Sequence, residues 1–434
     1  MHNKTVLDNG VKILSERLPH VRSVSLGVWV DVGSRDELPD ENGISHFIEH
    51  MIFKGTRRRS SLDIARELDA IGGLSNAFTG KENTCIHAKV LDRDLPRAID
   101  ILSDLLLQSV FDSEEMAREK QVILQEISMV EDTPEEYIHL LHSSHCWPDH
   151  PIGMSVLGSG ETVSTIARDL VIDYLHRYYT PERMIITAAG NIDHDRLTKS
   201  FRPLFDSLES GSAVENESRP SLQPGAFFHE KDLEQVHLCI GVRAPELTSE
   251  DRLAGALLNT LLGGNMSSRL FQEIREKRGL AYAVYSFLSA YLDTGLFGVY
   301  LATDPRWVNE ALEVLRNEVR RILDGELGED EMEMMREHLV GGILLGSEST
   351  DTRMMRMAKN EYVYNRYISY DELIENLRKV SREDVIRVAR QCFQDSTVSL
   401  VTLGPLAESD VDSGLLRFTD PAPKDKASIK ASPS

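Results

Sequence analysis

Cysteine is scarce in this sequence and poorly placed for chemistry. The four cysteines, Cys85, Cys146, Cys239 and Cys392, lie far apart, and no two share a CxxC spacing. That excludes the cysteine zinc knuckle and the CxxC redox motif, and it leaves ordinary buried or half-buried thiols. Positive charge is also short: 48 Lys and Arg stand against 70 Asp and Glu, for a net charge of −22. Nucleic acid and anionic membrane surfaces need a basic footprint, so both are excluded as expected partners. The same charge suits basic peptides, and it equally suits a solvated acidic coat. No stretch approaches the roughly 20 continuous apolar residues that span a bilayer. Met1-His2-Asn3-Lys4-Thr5 is followed by neither an apolar run nor an Arg/Ser-rich amphipathic stretch. The expected compartment is therefore the cytoplasm.

The chain has 434 residues, too many for one ordinary hydrophobic core. Its 41% hydrophobic and 27% charged residues are those of a globular protein. A polar stretch from Glu209 to Pro220 lacks apolar periodicity and reads as a linker. The expected division is a first domain over 1–210, a linker over 211–225, a second domain over 226–419 and a disordered tail over 420–434, rich in Pro, Lys, Ser and Ala.

Strands and helices alternate in each half, which points to an α+β fold. Ser23 to Val30 and Thr84 to Leu91 have strand character. Helical spacing of apolar residues runs over Ile44–Phe53, Ser61–Ile71, Leu95–Leu107 and Glu114–Val130. The second half repeats the order weakly. Val236–Val242 corresponds to the first strand and Leu253–Leu262 to the first helix. Gly279–Ala283 corresponds to Gly73–Ala77, and Ala311–Leu315 to Ala98–Leu102. Two such units, each a mixed and mostly antiparallel sheet packed by helices, would face each other across a cleft.

The chemistry lies in Gly43-Ile44-Ser45-His46-Phe47-Ile48-Glu49-His50-Met51, which contains HxxEH. On a helix, positions i and i+4 share a face, so two imidazoles can converge on one cation while Glu49 stands beside it. A zinc-bound water has its pKa lowered towards about 7, within reach of a carboxylate base. HxxEH is the order-reversed relative of the HExxH zinc peptidase motif. A catalytic zinc takes three protein ligands and keeps an open position, so a third ligand is needed. Glu119 and Glu126, seven residues apart, share one face of the 114–130 helix. Glu126 sits among Leu124, Gln125 and Ile127, an apolar setting in which a metal partner would explain an acid. Glu119 is then an outer partner or proton relay.

With these residues in view, the sequence resembles the pitrilysin/insulinase family of inverted-motif zinc peptidases, especially the branch of the mitochondrial processing peptidase β-subunit and its single-chain bacterial relatives. The resemblance runs from about Thr5 to about Phe418. It rests on Gly43 to Thr56, on Glu119 with Glu126, on Asn76-Ala77-Phe78-Thr79, and on Met266–Phe271 through Ile274–Tyr282. It implies that His46, His50 and Glu126 hold one Zn2+ per chain and that Glu49 is the general base. It also implies that Arg275 and Tyr282 reach the substrate backbone near the metal, with Tyr282 suited to a developing oxyanion. Asn76, Ala77 and Phe78 would belong to an edge strand that a peptide extends by β-augmentation, which selects extended substrates. A homodimer is implied by analogy. The competing reading is a non-catalytic or partner-dependent peptide-binding subunit of a processing complex.

The second half lacks the metal residues: setting Lys54-Gly55 against Gly263-Gly264 places His46, Glu49 and His50 on Gly255, Leu258 and Asn259. A dense stretch of His139, His142, His145 and His150 with Cys146 offers spacing for a second metal, but no acid lies in register among them. Gly158-Ser159-Gly160 is not followed by a phosphate-loop lysine.

Overall fold

The computed structural model describes residues 2–209, 211 and 219–419. Part of the expected linker, 212–218, and the expected tail, 420–434, lie outside the described residues.

The first half contains β1 (His2–Val6), β2 (Lys12–Arg17), β3 (Ser23–Val30), β4 (Leu74–Thr79), β5 (Thr84–Leu91) and β6 (Met184–Gly190). Its helices are α1 (Ile44–Met51), α2 (Ser61–Ala70), α3 (Leu95–Gln108), α4 (Ser113–Glu131), α5 (Pro134–Cys146), α6 (Gly160–Thr165), α7 (Arg168–Tyr178) and α8 (His194–Phe205). The second half contains β7 (Gly225–His229), β8 (Val236–Arg243), β9 (Ala281–Ala290), β10 (Gly295–Thr303) and β11 (Ser399–Leu403). Its helices are α9 (Arg252–Leu262), α10 (Val308–Leu323), α11 (Glu329–Gly346), α12 (Thr350–Tyr364), α13 (Tyr370–Lys379) and α14 (Arg382–Cys392). Strand β7 begins at Gly225, the last residue of the expected linker.

Apart from β1, which has no counterpart, the two sheets share one topology. The first runs β1-β2-β6-β3-β5-β4 and the second β7-β11-β8-β10-β9. In each, one parallel pair (β2 with β6, β7 with β11) is followed by three antiparallel neighbours. The α+β class and the paired units therefore stand. The repeat read in the sequence lands on equivalent elements, β3 with β8, α1 with α9, β4 with β9, and α3 with α10. Strand β1 was not read in the sequence; its residues are polar or half-exposed, as suits the outer strand of a sheet.

Helix α3 shows how the pattern makes the packing. Ala98, Ile101, Leu102 and Leu105 fall at i, i+3, i+4 and i+7, and all are buried under the first sheet. Each of the three larger side chains contributes roughly 1.5–3 kcal/mol by leaving water.

The halves exchange helices. Helix α5, from the first half, packs on β8 and β11 of the second sheet. Helix α12, from the second half, packs on β2, β3 and β6 of the first sheet. A division at residue 210 by sequence order therefore separates each of these helices from the sheet it covers. Glycine in the central strand permits both contacts. A Cβ at Gly27 would stand 2.6 Å from Met354 Sδ, and one at Gly241 would stand 2.4 Å from His142 Cε1.

The histidine stretch is the contact surface of α5. His139 Nε2 lies 2.9 Å from Tyr285 Oη, His142 Nε2 lies 2.9 Å from Ser399 Oγ, and His145 stacks on Phe227 at 3.9 Å between centroids. All four cysteines are free and buried. Among the described residues, no helix is long and apolar enough to cross a membrane.

Candidate active site

Helix α1 is only eight residues long and starts at Gly43, whose φ of +94° favours glycine. No side chain at its own N-cap holds it. Instead the fully buried Glu37 accepts from the Gly43 and Ser45 backbone N–H groups at 2.8 and 2.9 Å and from Asn42 Nδ2 at 3.0 Å. A carboxylate at a helix N-terminus satisfies orphan donors and meets the positive end of the dipole. Burial pushes the Glu37 carboxyl up to about 7 against the pull of these bonds. Ser45 Oγ lies 2.8 Å from Tyr174 Oη on α7, which fixes the helix from its other side. Glu37 was not singled out in the sequence, because its role exists only in three dimensions.

Helix α4 packs on α1. The structure brings ligand atoms of His46, His50 and Glu126 to within 4.8 Å of one another. His46 Nε2 and His50 Nε2 stand 3.7 and 3.6 Å from the same oxygen, Glu126 Oε2. Those spacings are too long for hydrogen bonds. They are close to the roughly 3.4 Å expected between atoms bound tetrahedrally to one ion at about 2.1 Å. Two imidazoles and one carboxylate are also a known donor set for catalytic zinc, so the residues present fit the ion.

The surroundings support the ligand geometry. His50 Nδ1 lies 2.8 Å from Glu119 Oε1, and Lys54 Nζ lies 2.7 Å from Glu119 Oε2. A carboxylate on Nδ1 turns Nε2 towards the site, the usual outer-shell arrangement of metal-binding histidine. His46 is driven down to about 4 by burial and then by its neighbour His50, so its ring is neutral at neutral pH, as a ligand must be. Its Nδ1 is buried without a hydrogen-bond partner among the described residues.

The setting of Glu126 differs from expectation. Helix α4 buries only Met116, Glu119 and Ile123, and Val122 and Met129 on the same helix are exposed. Glu126 is half-exposed, so it is no acid embedded in an apolar stripe. The buried acid is Glu119. The neighbours Leu124, Gln125 and Ile127 point to other faces of the helix.

Glu49 Oε2 accepts from Thr79 Oγ1 at 2.7 Å. Burial raises its pKa above the usual carboxylate value, opposed by the Thr79 hydrogen bond. Thr79 ends β4, one of the two edge strands of the first sheet. Asn76, Ala77 and Phe78 lie on that edge strand, and Ala77 N–H is accepted by the Asn76 side-chain oxygen at 2.9 Å.

Arg275 and Tyr282 are brought to each other. Arg275 lies in a π-helical turn, Phe271–Glu276, and its guanidinium stands 4.5 Å from the Tyr282 ring and 4.8 Å from the Phe271 ring. Tyr282, near the start of β9, is 77% exposed. Among the described residues, neither makes a hydrogen bond, ion pair or ring contact with the histidine–glutamate cluster.

Residues 12–160 match the insulinase family (peptidase family M16), and residues 165–339 match the peptidase M16 inactive domain. An uncharacterized zinc protease of Streptomyces coelicolor is 40% identical over 416 residues, covering 93% of this chain and 90% of that protein. The uncharacterized zinc protease YmxG of Bacillus subtilis is 40% identical over 403 residues, covering 93% of this chain and 98% of its own. In fold, the chain is similar to a protease from Helicobacter pylori, with a TM-score of 0.86, 20% identity and coverage of 93% of this chain and 99% of that one. A peptidase M16 inactive domain from Pseudomonas fluorescens gives the same TM-score, 0.86, at 18% identity, with 94% and 98% covered. With two relatives at 40% identity over nearly its whole length, the chain belongs to peptidase family M16, the insulinase family.

Proposed function

We propose that this protein is a zinc endopeptidase that hydrolyses extended peptides at the His46, His50 and Glu126 site, with Glu49 as general base. The observation that carries this reading is the convergence of the two imidazoles on Glu126 Oε2, with Glu49 on the same short helix. A zinc ion held there would polarise the scissile carbonyl and acidify a bound water. Glu49 takes the proton and returns it to the leaving amine. Its raised pKa brings it closer to the operating pH, where a base both accepts and releases a proton efficiently. Thr79 holds its carboxylate in place, and Glu119 fixes the ring of His50.

Strand β4 offers its free edge to the peptide backbone, and the Asn76 side chain yields Ala77 N–H to the incoming strand. The second half, with no ligand set at Gly255, Leu258 and Asn259, closes over the peptide, and Arg275 and Tyr282 hold its backbone. The net charge of −22 favours basic peptides among the substrates, and the working assembly is a homodimer.

The test is cleavage of a quenched fluorescent peptide library by the wild type and by Glu49→Gln, with zinc quantified in each. Expected are about one zinc per chain in both and a loss of turnover of roughly 100- to 10,000-fold in the variant. Zinc in both proteins with cleavage by neither would favour the partner-dependent or non-catalytic subunit.

A further inference from the structure

Side chains of β4 alternate between two faces of the first sheet. Ala77 packs into the core beneath α1, and Thr79 holds Glu49 on that side. Phe78 points to the opposite face, where its ring meets Trp29 edge-on at 5.6 Å beneath α12. A strand added to β4 would alternate in the same way. Every second side chain of a bound peptide would then face away from the histidine cluster and towards the α12 side.

A cavity of about 350 Å³ lies on that side. Phe78 forms its wall nearest the free edge, with Trp29 behind it. Met355 and Val363 of α12 close one side, and Tyr291 and Leu292, from the turn between β9 and β10, close the other. The volume lies in the range of small-ligand pockets, and the lining is mainly aromatic and aliphatic.

The polar groups divide into two kinds. Some are already engaged. Lys81 donates to the Met154 carbonyl, and Glu82 accepts from Arg35 Nη1 at 2.5 Å and from Leu292 N–H at 3.0 Å. Four others make no side-chain hydrogen bond within the protein among the described residues: the Asp31 carboxylate, the Asn83 amide, the Lys359 ammonium and the Tyr362 hydroxyl, the last of which is buried. Groups left so at the inner end of an apolar pocket select a side chain that brings its own donor.

We propose that this cavity is a specificity pocket for the bound peptide, taking one large aromatic side chain, tyrosine above phenylalanine, with the phenol hydroxyl reaching Asp31 and Tyr362. The assignment rests on the proposed peptide binding along β4. Phe78 and Trp29 give the ring its edge and face contacts. The two halves both line the pocket, so filling it also ties the second half to the bound peptide.

The test separates binding from cleavage. A fluorescent peptide is bound to the Glu49→Gln protein and followed by anisotropy while each position in turn is Ala, Phe, Tyr or Lys. One position is expected to bind Tyr at least 10-fold more tightly than Ala, with Phe between them. Val363→Trp on α12 and Ala290→Leu on β9 fill the cavity from two different elements and should abolish that preference while the Ala peptide still binds. Asp31→Asn should erase the difference between Tyr and Phe. A flat scan, a preference for Lys, or a Tyr preference that survives both filling variants would overturn the pocket. Failure of the wild type to cleave any of these peptides would instead count against the peptidase reading, since the binding comparison does not depend on turnover.

Discussion

Helices α1 and α9 follow equivalent strands in two sheets of the same topology, and both pack an apolar face inward. They differ in what their other face carries. Helix α1 presents His46, Glu49 and His50 towards α4. Helix α9 presents nothing of the kind: Leu257, Leu258, Leu261 and Leu262 are buried, and Asn259 accepts from Ser286 Oγ at 2.8 Å. The starts differ too. Helix α1 depends on the buried Glu37, whereas α9 has no side-chain cap and starts with Asp251 paired to Arg387 at 2.7 Å. The backbone plan is thus indifferent to chemistry, and a few side chains with their outer partners convert one copy into a site. The largest expected effect tests that contrast. His50→Ala should weaken zinc binding by more than about 100-fold, beyond the range typical of an outer-shell loss. Asn259→Ala, at the matching position, should leave zinc content unchanged. Metal analysis and isothermal titration decide it, and equal zinc loss in both variants would break the comparison.

The exchanged helices give a second contrast. Helix α5 meets the second sheet through His139, His142 and His145, and His237 lies on the strand beneath. Burial lowers the pKa of all four, His142 to about 3. Glu135 pulls His139 and His237 the other way without reversing the shift. Helix α12, its counterpart, contains no histidine. The sign follows from proton linkage. A histidine held neutral in the folded state binds more protons when released, so stability rises with pH across the window between its folded and ordinary values. The α5 contact should therefore weaken as pH falls from about 6.5 towards 3, with His142 contributing roughly a few kcal/mol across that range. Hydrogen exchange at pH 5.0 and 7.5, corrected for intrinsic rate, should show α5 opening while the α12 contact with the first sheet holds. Equal opening of both would sink the idea.

The legibility of the sequence follows the same division between local and long-range features. Strands Ser23–Val30 and Thr84–Leu91 were read to the residue, because β-branched runs flanked by polar residues mark their own ends. The HxxEH cluster was legible because helical spacing alone puts His46 and His50 on one face. The exchange of α5 and α12 was not legible: amphipathic spacing tells that a helix is covered, never by which sheet. The histidines of α5 looked like metal spacing for the same reason, since the partner that explains them, the second sheet, lies some 80 to 260 residues away along the chain. Glu126 was named from its setting in sequence, yet the setting misled. Its neighbours turn away, and the buried acid one face-repeat earlier is Glu119, bonded to His50 and Lys54.

The smallest expected effects come from α4 and α11, which hold matching places in the two halves. Helix α4 begins at Asp112, whose carboxylate accepts from Glu114 and Glu115 N–H at 2.9 and 3.2 Å. Helix α11 begins at Gly328, which offers no side chain to its first turn. Its φ of −78° and ψ of 152° are ordinary for an N-cap, and a Cβ there meets nothing within 4 Å. Asp112→Ala should therefore cost about 1 kcal/mol, the usual loss for a removed cap. Gly328→Ser should gain only about a few tenths of a kcal/mol, because glycine is itself a tolerated N-cap. Serine is the better replacement, since Glu329, Asp330 and Glu331 already supply negative charge to that turn. Urea unfolding of both variants measures the two changes against wild type. Zinc content should stay level in Gly328→Ser, whose helix holds no ligand. In Asp112→Ala it reports whether fraying of the first turn of α4 reaches Glu119 and Glu126 further along the same helix, a coupling that has no counterpart in α11.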